Sequence, residues 1–182
     1  QPVVPIWIFQ LKRGIKLEEP NNNLCNVYIK KAKSALNMLS SATEKDEVDW
    51  IATTAYYARY FAFYSILQKC GIKSEIHDCT IFLMHFLFVE ESLIDEQFYN
   101  ELQLAKELRV DTQYYITDKL DKEKLKQDSE TARSFVLKME EVIENLTEGK
   151  MIQLRDKLSN ASHWLLFWIA FRSGRKQTTL IA

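Results

Sequence analysis

Apolar residues return every three or four positions along most of this chain, the spacing that lines one face of an α-helix. Leu24, Tyr28, Ala32 (or Lys31), Ala35 and Leu39 mark a first helix. One of Asn21, Asn22 and Asn23 caps its start, and it ends near Ser41, before the polar run Thr43–Asp46. A second helix runs from about Val48 to Lys69, with Trp50, Ile51, Thr54, Tyr57, Phe61 and Tyr64 along its stripe. Tyr56, Tyr60 and Phe63 widen the stripe until the helix is apolar nearly all round, the pattern of a central element. Gly71 stops it, because glycine tolerates the left-handed conformation.

The pattern predicts a third helix from about Ile76 to Phe88, with Ile81, Met84, His85 and Phe88 on one face. A fourth runs from about Asp95 to Tyr115, capped by Ser92 or Asp95. After the polar turn Thr117–Asp121, a fifth follows Leu125, Ala132, Phe135 (or Val136), Met139, Val142 (or Ile143) and Leu146, and Gly149 ends or bends it. The fold expected is all-α: an antiparallel up-and-down bundle of about five long helices joined by short loops.

Both ends break the pattern. Residues 1–20 form an N-terminal arm, either a short strand or an amphipathic helix, in which apolar Ile6–Phe9 precedes basic Lys12–Lys16. The bundle itself is expected over residues 21–148. Residues 149–182 are a C-terminal extension, either a sixth helix docked on the bundle or a segment outside it.

Composition narrows the function classes. Lys plus Arg is 24 against 25 Asp plus Glu, so the chain lacks the basic excess of a nonspecific nucleic-acid binder. A small RNA pocket remains compatible with that balance. The three prolines all lie in the first twenty residues, so nothing blocks helices beyond them. Cys25, Cys70 and Cys79 are an odd set without CxxC spacing, read as reduced thiols of a cytoplasmic protein. No secretory signal is visible, and the eight-residue apolar run Trp164–Phe171 is too short for a bilayer, which needs about 20 residues. No cluster has metal-ligand spacing, and no cofactor or metal is expected.

The candidate chemistry gathers at Glu107-Leu-Arg-Val-Asp-Thr-Gln-Tyr-Tyr115, where an apolar helix closes on an arginine, an acid and two tyrosines. Arg109 and Asp111 are two apart and so do not share a helix face. Arg109 suits a phosphate contact, the plain alternative being an ion pair with a nearby acid. Tyr114 and Tyr115 either line a ligand site or pack in the core, and Asp111 is a ligand contact or a helix-end polar group. His77 either reaches the same cleft or sits solvated at its helix start, while His85 reads as a core histidine. Tyr56, Tyr57, Tyr60 and Tyr64 offer a base-stacking surface or, at helical spacing, core.

Several of these pieces resemble archaeal HEPN-domain proteins. Arg13-Gly-Ile-Lys-Leu-Glu-Glu-Pro-Asn21 and Tyr28-Ile-Lys-Lys-Ala-Lys-Ser-Ala-Leu36 resemble the approach to that family's first helix and the helix itself. Ala55-Tyr-Tyr-Ala58, followed by Leu67, Gly71 and Ile72, resembles its second helix. Ile76-His-Asp-Cys-Thr-Ile81 sits at the start of its third, and Leu93-Ile-Asp95 with Leu108-Arg109 to Tyr114 resembles its late helix. The similarity covers about residues 12–148. It implies a helical bundle, often a homodimer, and often a minimal nucleotidyltransferase partner in a toxin–antitoxin pair. On the same analogy, one of Tyr114 and Tyr115 would accept a nucleotidyl group from that partner.

Active relatives are metal-independent endoribonucleases with an Arg-x4–6-His motif, in which the arginine holds phosphate and the histidine moves a proton. Here Arg109 is kept, but Tyr114 follows it after four intervening residues, in the histidine's place. A tyrosine, with a pKa near 10, is a poor base at neutral pH. The resemblance therefore implies a HEPN-type protein that binds RNA, a nucleotide or a nucleotidyltransferase through Arg109, Asp111, Tyr114, Tyr115 and His77, with nuclease activity weak or absent and no residue assigned to catalysis. The alternatives are a helical scaffold without a ligand site, and a ribonuclease whose histidine comes from elsewhere, such as His77.

Overall fold

A computed structural model describes residues 14–114 and 122–160. Their order is β1 (Ile15–Leu17), α1 (Asn22–Glu44), α2 (Val48–Lys69), β2 (Ile72–Ser74), α3 (His77–Leu83), α4 (Glu96–Tyr114), α5 (Lys122–Asn145) and α6 (Glu148–Asn160). The fold is an all-α bundle carrying one two-stranded ribbon. No helix among the described residues is long and apolar enough to cross a membrane.

Asn21 caps α1, its side chain accepting from the Leu24 backbone N–H at 2.9 Å. Cys25, Ala32, Leu36, Leu39 and Ala42 form the buried stripe of α1 and pack it along α2. The central helix is α2, bounded by the residues the pattern marked and packed against α1, α4 and α5. Its core side chains include Tyr56, Phe63, Ile66 and Leu67, all with no exposed surface. Apolar burial on this scale, about 25 cal/mol per Å², is the main force holding the bundle together.

Gly71 ends α2 at φ +66°, and any Cβ there would collide with the Glu18 carbonyl and the Arg155 guanidinium. The chain turns into β2, which pairs antiparallel with β1 in the register Ile15↔Ser74, Lys16↔Lys73, Leu17↔Ile72. Residues 15–17 are thus a strand; residues 1–13 lie outside the described residues.

Two expected boundaries move. The third helix does not run evenly to Phe88: after Leu83 it widens into a π-helical stretch, Met84–Val89, with Glu90 N–H donating to the His85 carbonyl at 3.0 Å. The fifth stops at Asn145, and Gly149 lies inside α6 rather than ending α5. Arg155 on α6 fastens the ribbon, its Nη1 donating to the carbonyls of Glu18 (2.7 Å), Cys70 (2.8 Å) and Gly71 (2.9 Å). Lys150 and Lys157 pair with Glu91 at 3.1 and 2.8 Å, tying α6 to the turn after the π-helical stretch.

Candidate phosphate-binding site

Helix α4 runs antiparallel to α2, so that Glu101 lies near Arg59, Arg109 over Tyr56 and Tyr57, and Gln113 beside Thr53. The Arg109 guanidinium sits 5.4 Å from the Tyr56 ring centre and 5.2 Å from that of Tyr57. At that range the ring faces attract the cation. Among the described residues the buried Arg109 Nε has no hydrogen-bond partner, and no carboxylate is paired with the guanidinium. Lys106 lies one turn earlier on the same face of α4 and pairs with Asp78.

His77 joins this cluster from the start of α3. Its Nδ1 is 2.6 Å from the Tyr56 hydroxyl, and its ring stacks on Tyr60 with centres 4.3 Å apart and planes 16° apart. Burial pulls the His77 pKa below its ordinary value; the charges of Arg109 and Lys106 pull the same way, against Asp78. Burial likewise pushes the Tyr56 phenol well above its usual range, and the neighbouring Tyr60 adds to that while Arg109 opposes it. Tyr60, also pushed up by burial, to about 12, hydrogen-bonds Thr80 Oγ1 at 3.3 Å.

The structure therefore brings His77 and Arg109 together, though 32 positions separate them in the chain (109 − 77). It does not bring Asp111 with them: Asp111 is exposed, on another face of α4, without a hydrogen-bond or ion-pair partner among the described residues. Tyr114 is the last residue of α4, and Tyr115 lies outside the described residues, as does His163. The α2 tyrosines are core rather than an open stacking surface. Tyr56, Tyr60 and Tyr64 are buried, and half-buried Tyr57 is stacked on Phe61 at 5.3 Å and covered by Arg109. His85 is half-buried, its ring edge-on to Tyr99 and its Nδ1 3.7 Å from Glu90. Among the described residues no group of three or more His, Cys, Asp or Glu could hold a metal ion.

Sequence reasoning missed Lys106 and missed that Tyr56 and Tyr57 form the floor. The signal for Lys106 was present: it stands three residues before Arg109, on the same helix face. It also missed a second polar centre. Arg59 has no exposed surface; its Nη1 donates to Asp128 Oδ2 and to the Ala55 carbonyl (both 3.2 Å), and its Nη2 to Thr131 Oγ1 (2.8 Å) and the Asp128 carbonyl. Its Nε lies 3.8 Å from Glu101 Oε2, an ion-pair rather than a hydrogen-bond distance. Burial pulls the Arg59 pKa down and pushes Asp128 and Glu101 up, against the attraction between them.

The Arg109 cluster offers charge and donors, and its aromatic rings are already covered. An anion with several oxygens fits such a surface better than a bare nucleobase. Compared with known families, the chain matches the model of the HEPN domain over residues 25–150. No curated protein matches it.

Proposed function

The chain belongs to the HEPN domain family, and we propose that it binds RNA or a nucleotide through phosphate at Arg109, with ribonuclease activity weak or absent. The observation that carries this reading is a guanidinium held on two tyrosine rings, with Nε unpaired and no carboxylate paired with it among the described residues. Charge-assisted hydrogen bonds from such a group to phosphate contribute about 1.5–3 kcal/mol. Lys106 adds a second positive charge, and His77 a third polar group. Cleavage is not favoured, because Tyr114 stands where the family's motif histidine would be. On the resemblance, this is an archaeal-type member acting as a cytoplasmic homodimer beside a minimal nucleotidyltransferase.

The test is fluorescence anisotropy of a short labelled ribo-oligonucleotide at low salt, with Arg109→Ala alongside and a denaturing gel of the same mixtures. Saturable binding that drops at least about tenfold in the variant, with uncut RNA, supports the reading. Equal binding by both proteins rules out the site. Absent binding, together with co-purification of a partner protein, favours the scaffold alternative.

A further inference from the structure

The contact between Tyr56 and His77 decides what His77 can do. Tyr56 is wholly buried, and His77 Nδ1 is the described partner of its hydroxyl, at 2.6 Å. Two arrangements satisfy that distance. In one, Nδ1 carries the hydrogen and donates to the phenol oxygen. The buried phenol proton is then left without an acceptor, which costs about 1–3 kcal/mol. In the other, the phenol donates to a bare Nδ1, and the imidazole hydrogen sits on Nε2. Only the second leaves both groups satisfied.

The surroundings hold that state. Tyr60 stacks on the ring and fixes its plane, while Tyr57 meets it edge-on. Burial opposes a second ring proton, as do Arg109 and Lys106 on α4, while Asp78 on α3 favours one. Among the described residues Nε2 has no partner, and it is not shut off from solvent.

We propose that Tyr56 holds His77 as the Nε2–H tautomer, so that His77 donates a hydrogen bond to the phosphodiester held by Arg109 and is withheld as a base. This rests on the phosphate-binding reading above and deepens it. A base that opened RNA would take the proton of the 2′-hydroxyl as its oxygen attacks phosphorus and the 5′-oxygen leaves. That requires a bare nitrogen facing the ligand. Here the bare nitrogen faces Tyr56, and the outward nitrogen already carries a hydrogen.

The experiment is a two-bond proton–nitrogen correlation of the imidazoles in the 15N-labelled chain near neutral pH. The chain has three histidines, and His77 is assigned by its loss in His77→Gln. The expected result is one fixed Nε2–H pattern for His77, which becomes a tautomer average in Tyr56→Phe. An averaged or Nδ1–H pattern in the unaltered chain overturns the proposal. A ribo-oligonucleotide is then titrated in, with inorganic phosphate as a control. The Nε2–H signal should move in step with binding, and the RNA should stay intact. Glutamine can replace the outward donor and alanine cannot, so His77→Ala should weaken binding about tenfold while His77→Gln stays within about twofold. RNA that binds without moving Nε2–H overturns the His77 contact and leaves the Arg109 reading standing. A locked tautomer with no RNA binding at any salt overturns that reading and the donor role together. Cleavage lost in both His77→Gln and His77→Ala makes His77 a base and overturns the proposal.

Discussion

Arg59 and Arg109 both reach the boundary between α2 and α4, one from each helix, and end in opposite states. Arg59 has no exposed surface and gives its terminal nitrogens to a carboxylate, a hydroxyl and two carbonyls. Arg109 lies on two ring faces, with no hydrogen-bond partner for Nε and no acid paired with it among the described residues. The first is consumed by the bundle. The second is placed by it but keeps its donors. An inward arginine is therefore not by itself a sign of a binding site; what matters is whether the protein has already filled its hydrogen-bonding capacity.

The largest expected effect breaks the closed centre. Arg59→Ala leaves Asp128 buried without its partner, a change that typically costs about 3–5 kcal/mol and should lower the urea midpoint accordingly. A loss below about 1 kcal/mol would erase the distinction between the two arginines.

Arg109→Ala should do the reverse. Losing an exposed-type cation–π contact costs at most about 1 kcal/mol of stability, while RNA affinity falls about tenfold or more. The slope of log affinity against log salt should shrink by about one, since one phosphate contact is gone.

The two centres should also separate in pH. The folded-state pKa of His77 lies below its ordinary 6.5, so the unfolded chain binds this proton first. Its contribution is full above that value and is lost as pH falls through the window beneath it. Asp128 and Glu101 have raised values, and their contributions run the other way: present below the unfolded carboxylate pKa, lost as pH rises through the folded ones. Melting curves of the parent and His77→Gln, taken from pH 7 downwards, should diverge by the His77 part alone. The smallest effect belongs to Asp78→Asn, which frees Lys106 from an exposed pair. It should tighten RNA binding by no more than about fivefold, read in the same anisotropy assay.

The contrast also explains what could be read from the residues alone. Helix α2 was legible to its last residue, because its broad stripe ends at a glycine whose left-handed turn has a local cause. The widening at Met84–Val89 was not, since the apolar spacing there suits an ordinary helix equally well. Strand β2 is three residues long and is paired with β1, more than fifty positions earlier, a separation no local pattern can express. The closeness of His77 to Arg109 was legible in the sequence, which marks His77 as a candidate for the same cleft. Arg59 was invisible for a physical reason. It is one charge inside an apolar stripe, and its partner Asp128 lies 69 positions away. Asp111 looked attractive by proximity in sequence, yet helix geometry turns it to solvent.

The Arg155 latch bears on where this domain can be cut. The family match spans residues 25–150, but Arg155 itself, the Glu18 carbonyl it holds and the strand that pairs with β2 all lie outside that span. A fragment trimmed to the match would lose the cap on the Cys70 and Gly71 carbonyls, and β2 would become an unpaired edge next to the turn that presents His77. A fragment covering 25–150 should melt earlier than the full chain and aggregate, as read by thermal melts with light scattering. The smallest piece that recombination could move intact between proteins is then wider than the segment by which its kinship is recognised.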